Sequence, residues 1–307
     1  MPEEEIIRIL GRLQDQLQSF REDFQSFKEI AGQNLSELKG MLKRRSLDPY
    51  RENPSQHLLF PPSFTNGERE QFYELFKRYS FRLFLREVLN RKEGFRVSEV
   101  VRYSSPETGR KYLRALLKLG LAESLHNRVY RLRPVATASL GPTLEWFVAE
   151  LLRKEFACPA LYGLRCRGTR YGGDYDVVAS MEGRLVYIEV KSSPPKNIEN
   201  NEVHEFYIRL EDLIPHLALF FVDTELRLQD KILPIFEAEQ SALRSLKKDP
   251  SHSIARIGDE IFFVPPRIYV LSSKKSIVKN IATCFRHHFT FPGFFSIGSG
   301  TCGGRAN

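Results

Sequence analysis

The chain has 307 residues, 42% hydrophobic and 27% charged, an ordinary globular composition long enough for about two domains. No apolar run reaches the ~18 residues of a bilayer-spanning helix, and the acidic Met-Pro-Glu-Glu-Glu start has no signal-peptide core, so neither a membrane partner nor export is expected. The net charge of +8 is local: residues 68–133 hold 16 basic and 8 acidic side chains, against 9 and 10 in residues 1–67 and 21 and 20 in residues 134–307.

Residues 3–43 read as one long helix. Ile6, Leu10, Leu13, Leu17, Phe20, Phe24, Phe27, Ala31, Leu38 and Met41 recur by threes and fours, with Asn34 in register. So narrow a seam needs a partner, and a coiled coil pairing two copies over residues 1–45 is the expectation. The alternative is an amphipathic helix folded back on its own domain, which the three Phe residues favour. Residues 46–67 carry four prolines and Gly67 without apolar period, and read as a linker.

Residues 68–133 read as three helices and a hairpin. The first helix spans about Glu68–Asn90 and the second about Val97–Tyr103. The third is capped by Ser105, has Pro106 at its first position, and ends at Gly120. Strands Ala122–Leu125 and Val129–Leu132 then flank His126-Asn127-Arg128. Residues 138–290 alternate in type. Helices are expected at Pro142–Phe156, Glu202–Leu213, somewhere in Lys231–Lys247, and at Ser276–His287. Strands are expected at Tyr175–Ser180, Leu185–Val190, Leu217–Val222, Ile261–Val264 and Ile268–Leu271, giving a mixed α/β domain. The glycine-rich tail over residues 291–307 reads as disordered.

The informative stretch joins two strands through Glu182-Gly183. In the second strand Val186, Ile188 and Val190 share an apolar face, while Tyr187, Glu189 and Lys191 share the other. In the first strand Asp174, Asp176 and Val178 share a face, and a hairpin can bring Asp176 beside Glu189. Two carboxylates at contact distance need a cation between them. Mg²⁺ suits oxygen donors and keeps waters for chemistry. A neighbouring lysine can orient or deprotonate such a water or stabilise a phosphate, which are the needs of phosphodiester hydrolysis.

The pattern Asp176–(12 residues)–Glu189-Val190-Lys191, on a hairpin after a Glu-bearing helix, resembles the PD-(D/E)xK nucleases of the restriction-endonuclease-like superfamily, which includes archaeal Holliday-junction resolvases. The resemblance covers about residues 140–290, with Tyr175 where the family often has Pro. It implies a restriction-endonuclease-like mixed sheet flanked by helices and cleavage of DNA with Mg²⁺, for which Mn²⁺ can substitute. It implies Asp176 and Glu189 as metal ligands, the Val190 carbonyl as another, Glu145 (or alternatively Glu150) completing the set, and Lys191 at the nucleophilic water. Asp174 reads as a turn residue, with a second metal ligand as the alternative. His204 reads as a solvated helix position, with a phosphate contact as the alternative. Arg165, Arg167 and Arg170 read equally as backbone contacts or a plain basic loop, and His287-His288 as helix surface.

The order of elements in residues 68–135 resembles a winged helix-turn-helix, whose third helix enters the major groove of DNA. On that resemblance Thr108, Arg110, Lys111 and Arg114 face DNA from the helix and Arg128 from the wing tip. The expectation is therefore a homodimeric, DNA-binding, Mg²⁺-dependent endonuclease. Cys158, Cys166, Cys284 and Cys302 form no CxxC pair or Cys/His cluster, which argues against structural zinc and for a reducing, cytoplasmic setting. The rival reading is a DNA-binding regulator or scaffold with an inactive nuclease-like domain.

Overall fold

The computed structural model describes residues 13–14, 16–21, 35–133, 139–170, 172, 174–244 and 253–290. The expected tail, seam positions Ile6, Leu10, Phe24, Phe27 and Ala31, and Asn34 lie outside the described residues. In chain order, helix α1 (35–43) leads to strand β1 (Asp48–Arg51), helices α2 (Asn66–Phe76), α3 (Tyr79–Leu89) and α4 (Pro106–Lys118), and the hairpin β2 (Ala122–Ser124) and β3 (Tyr130–Leu132). Next come helix α5 (Gly141–Glu155), strands β4 (Ala160–Arg167), β5 (Asp174–Met181) and β6 (Arg184–Lys191), and helix α6 (Asn200–Leu213). Strand β7 (Leu217–Val222), helix α7 (Ile232–Arg244), strands β8 (Ala255–Gly258), β9 (Ile261–Val264) and β10 (Ile268–Ser272), and helix α8 (Ile277–Thr290) follow.

The larger part is an α/β assembly around one eight-stranded mixed sheet, ordered β1-β4-β5-β6-β7-β10-β9-β8. Its centre is parallel, β6 with β7 and β7 with β10, and the remaining pairs are antiparallel. The unbroken apolar run of β7 fits that central place, where helices cover both faces. Helices α5 and α8 pack on one face, and α1, α6 and α7 on the other. The β5–β6 turn falls on Glu182 and Gly183, at φ 50° and 71°, the left-handed pair a two-residue hairpin requires. The opposite ends of these strands, with Asp176 and Glu189, lie away from that turn.

Several expectations are corrected. Residues 46–67 are not a linker: Asp48–Arg51 is the edge strand beside β4, and Leu58, Leu59, Phe60 and Phe64 are buried. Prolines there shape an edge strand and turns, which lack the period that marks an element in sequence. Arg165 and Arg167 stand on β4 rather than on a loop. The helix expected over residues 68–90 is two, broken at Arg78, which is extended at φ −86° and ψ 119°. The break folds α3 back on α2, and buried Arg82 takes the Phe76 carbonyl at 2.5 Å. His288 is not surface but 5% exposed, and His287 hydrogen-bonds the Tyr269 hydroxyl at 2.8 Å. Within residues 3–43, Leu38, Met41 and Leu42 bury against the chain's own sheet, as the folded-back alternative has it, whereas Leu13, Leu17 and Phe20 are 54%, 53% and 67% exposed.

The basic segment and the sheet share one core. Phe60 meets Trp146 edge-on at 4.8 Å between ring centres, and Tyr73 and Phe76 lie 5.5 and 5.2 Å from Phe147. The expected boundary near residues 135–138 is thus crossed by continuous packing.

The expected second helix is only a 3-10 turn, Val97–Glu99, followed by Val101 wedged against α4. A methyl group on Gly109 would lie 2.2 Å from the Val101 Cγ1 and 3.1 Å from the Val97 Cγ1. Gly109→Ala gains ~1 kcal/mol of helix propensity, but overpacking of ~1–3 kcal/mol outweighs it. We expect a lower urea midpoint for this variant, although a glycine-to-alanine change in a helix ordinarily raises it.

Candidate active site

Strand β6 is buried along Leu185–Val190, so whatever stands at its end is held by two neighbours. Its antiparallel pairing with β5 runs through Val177↔Ile188, and the same register sets Asp176 opposite Glu189. There the ladder stops, and the Asp176 Oδ2 accepts the Val190 N–H at 2.7 Å. On its other side β6 stays paired with β7 through Lys191↔Val222. Asp176, Glu189 and Lys191 therefore meet where β5 lets go of β6, as the hairpin expectation required.

Glu189, 2% exposed, is surrounded by donors. Lys191 Nζ lies 3.0 Å from its Oε1, Arg209 reaches both oxygens at 3.3 Å, and the Tyr187 hydroxyl hydrogen-bonds Oε2. Lys191 also meets Glu202 at 2.8 Å. Glu202 spends its other oxygen on the Glu199 N–H at the start of α6, at 3.1 Å. Burial, the largest influence on the Lys191 ammonium, works against its charge, but Glu189 and Glu202 outweigh it and hold its pKa above the ordinary lysine range. Lys191 accordingly stands as a cation.

Asp176 and Glu145 lack such company. Burial pushes the Asp176 carboxyl well up, and Glu189 and Glu145 push it further, against the Val190 N–H and Lys191. Glu145, on the second turn of α5, is pushed up to about 7 by burial, then by Glu189 and Asp174, with Arg51 opposing. Glu145 and Asp176 line one cavity of about 260 Å³ with Arg51, His57, Arg165 and Asp174. Glu150 does not join them; it pairs with Arg153 at 2.6 Å. Among the described residues no three His, Cys, Asp or Glu side chains converge as a metal cage. What is present is a pair of under-neutralised carboxylates beside a third, Glu189, already engaged by cations. Hard oxygen donors in that number fit Mg²⁺, which binds through one or two carboxylates and keeps its waters.

The remaining expected residues are placed as follows. Asp174 pairs with Arg165, Nε to Oδ1 at 2.5 Å, at the mouth of the cavity. Arg170 pairs with Glu211 and Asp212, both at 3.3 Å, and Arg167 lies 5.5 Å from the centre of the Tyr50 ring. His204 pairs with Glu239 at 3.2 Å. In the basic segment Arg110, Arg114 and Arg128 line a groove of about 790 Å³ with Arg96, Leu113, Leu117 and Tyr130, and no carboxylate joins its lining. Thr108 and Lys111 are not among that lining; the Thr108 hydroxyl meets the Ser105 Oγ at 2.9 Å in the helix cap, and Lys111 is exposed.

Sequence reasoning missed Arg51, His57, Glu202 and Arg209 as neighbours of the site. For Glu202 and Arg209 a signal existed: they flank Phe206 on one face of α6, and Phe206 stacks on Tyr187 of β6. For Arg51 and His57 there was none, because their segment has no period to place it.

A comparison with protein-family models finds no match, and neither does one with curated proteins. Solved structures do match, at low similarity. Protein VC1899 from Vibrio cholerae is 16% identical, with a TM-score of 0.43, over 67% of this chain and 56% of that one. Can2 from Sulfobacillus thermosulfidooxidans, solved in complex with cyclic tetra-adenylate, is 14% identical, also at 0.43, over 64% of this chain and 55% of its own. The chain thus spans little more than half the length of either. Among the described residues, no helix is long and apolar enough to cross a membrane.

Proposed function

We propose that the chain is a metal-dependent deoxyribonuclease of the PD-(D/E)xK kind, with a restriction-endonuclease-like sheet and a winged helix-turn-helix that holds duplex DNA. One observation carries the reading: Asp176, Glu189 and Lys191 meet at the opened end of β5 and β6, where Asp176 lines a cavity shared with Glu145. Asp176 and Glu145 would hold Mg²⁺ or Mn²⁺, with Glu189 and the Val190 carbonyl as the further ligands the resemblance implies. The metal supplies Lewis acidity toward a phosphoryl oxygen and acidifies water. The chain's own contribution is positional. Lys191, kept cationic by two carboxylates, stabilises charge developing on the phosphate and orients water rather than taking its proton. Glu189 and Glu202 fix the ammonium, and Arg209 fixes Glu189.

The arginine groove supports the binding half of the proposal, because cations without a carboxylate in the lining are free to meet phosphates. Exposed Leu13, Leu17 and Phe20 are where residues 3–43 would pair two copies, which light scattering of the full chain decides.

The test is nicking of plasmid and branched DNA with Mg²⁺ or Mn²⁺. Lys191→Ala is expected to lose cleavage by roughly 10²-fold or more while still binding DNA. Arg110→Ala with Arg114→Ala and Arg128→Ala is expected to weaken binding and flatten its salt dependence by about three phosphate contacts. Equal cleavage by wild type and Lys191→Ala would remove the enzyme reading and leave the DNA-binding scaffold.

A further inference from the structure

Arg82 of α3 is 1% exposed and reaches from the basic segment into the end of the sheet. Its Nε donates to both oxygens of Asp223 at 2.9 and 3.1 Å, and its remaining nitrogens donate to the Phe76 carbonyl at 2.5 Å and the Ser273 Oγ at 2.9 Å. Arg86, one turn further along α3, donates to the Asp223 Oδ2 at 2.6 Å and to its carbonyl at 3.1 Å. The Ser273 hydroxyl donates to Oδ1 at 2.5 Å. Asp223, 1% exposed, thus has its carboxylate gripped from α3 and from the residue after β10.

Asp223 is also the first residue beyond β7. Its N–H donates to the Lys191 carbonyl at 2.8 Å, one step past the last β6–β7 pair, Lys191↔Val222. The residue that closes the ladder at Lys191 is therefore the residue that α3 holds by two guanidinium groups. Buried ion pairs rarely stabilise a fold better than apolar packing would, so the geometry they impose becomes the thing to explain.

We propose that Asp223 is a positioning residue for Lys191, and that Arg82 and Arg86 tie the placement of the β6 end to the seating of the basic segment on the sheet. This rests on the nuclease reading above. The basic segment then does two things through different residues. The α4 groove meets DNA, and α3 holds the strand on which the catalytic ammonium stands.

The test uses the full chain and changes Arg86, which is partly exposed and leaves the Arg82–Asp223 pair intact. Single-turnover cleavage of plasmid DNA at saturating protein is compared for wild type, Arg86→Ala and Arg86→Lys. Arg86→Ala is expected to lower the rate constant on the order of tenfold, at full amplitude and with unchanged DNA affinity, because small misplacements of a reacting group are costly. Arg86→Lys is expected to recover most of the rate. Without metal or DNA, amide exchange is expected to quicken in Arg86→Ala at Asp223 and Thr224 but not in β8 and β9. A cleaving wild type whose Arg86→Ala variant keeps its rate overturns this role alone. So does a loss of amplitude or affinity in step with the rate, which is what plain destabilisation produces. A wild type that cleaves nothing overturns the nuclease reading and this role together.

Discussion

Asp176→Asn is expected to stabilise the metal-free protein at pH 8 and to remove its cleavage activity by roughly 10³-fold. The amide keeps an oxygen for the Val190 N–H, so the strand end retains its hydrogen bond. It drops a charge that burial, Glu189 and Glu145 all disfavour. An unmutated chain carries this repulsion at every pH where the carboxylates are ionised, which is the usual mark of a site arranged for a task other than folding.

The pH dependence follows from Glu145, whose carboxyl is held up to about 7 by burial, Glu189 and Asp174. Its folded value lies above the unfolded one. Between about 4.5 and 7 the unfolded chain releases its proton while the folded chain keeps it. The unfolded state then binds fewer protons, so stability falls as pH rises through that window and the loss is complete above it. Glu145→Gln has no such proton to lose. Its advantage over wild type is expected to be absent near pH 4 and to reach on the order of 2–3 kcal/mol by pH 8, read from urea midpoints. Millimolar Mg²⁺ is expected to raise the wild-type melting temperature at pH 8 and to leave Asp176→Asn where it was, since only binding to the native site stabilises it. An equal response of both proteins to Mg²⁺ would separate the carboxylate cluster from metal binding.

The site's centre was legible because strand parity and a two-residue turn are local rules. Glu182-Gly183 sets the hairpin register, and the register alone brings Asp176 opposite Glu189. The choice of Glu145 over Glu150 was not legible. Both stand on α5, and only the tertiary fold shows one in the cavity and the other on Arg153. The α4 boundaries, with Ser105 as N-cap and Pro106 in the first turn, agree with the capping residues that announce them. The break at Arg78 was hidden for the opposite reason. The apolar stripe runs through it without interruption, and the cause is a carbonyl taken by a side chain whose other partner, Asp223, lies far along the chain. The edge strand β1 was hidden likewise. Its partner β4 lies beyond the whole basic segment, so nothing near Asp48–Arg51 marks it as sheet.

Arg82→Met is expected to cost ~3–5 kcal/mol at pH 7, as much as truncating a buried aromatic side chain. The price is set by Asp223, left in the interior with Arg86 as its remaining cation. Burial works to raise the Asp223 carboxyl, but Arg82 and Arg86 overcome it and hold the carboxyl below the usual carboxylate range. A depressed folded value contributes stability above the unfolded value and loses it as pH falls through the folded one. The cost of Arg82→Met is therefore greatest at neutral pH and shrinks toward pH 3, where the stranded carboxylate of the variant can take a proton. Adding Asp223→Leu to Arg82→Met is expected to return part of the loss, because the uncompensated charge leaves with it. The same residues decide what truncation does. A chain starting near residue 137 loses both arginines and uncovers Trp146 and Phe147, on which Phe60, Tyr73 and Phe76 pack. It is expected to show no cooperative urea transition. The +8 charge sits in one segment, yet that segment is part of the sheet's own core. DNA binding and cleavage are separable by side chain, at Arg110, Arg114 and Arg128 against Lys191, and not by cutting the chain. A cooperatively folded fragment from residue 137 would show that the shared core and the Arg82–Asp223 pair are dispensable to the sheet.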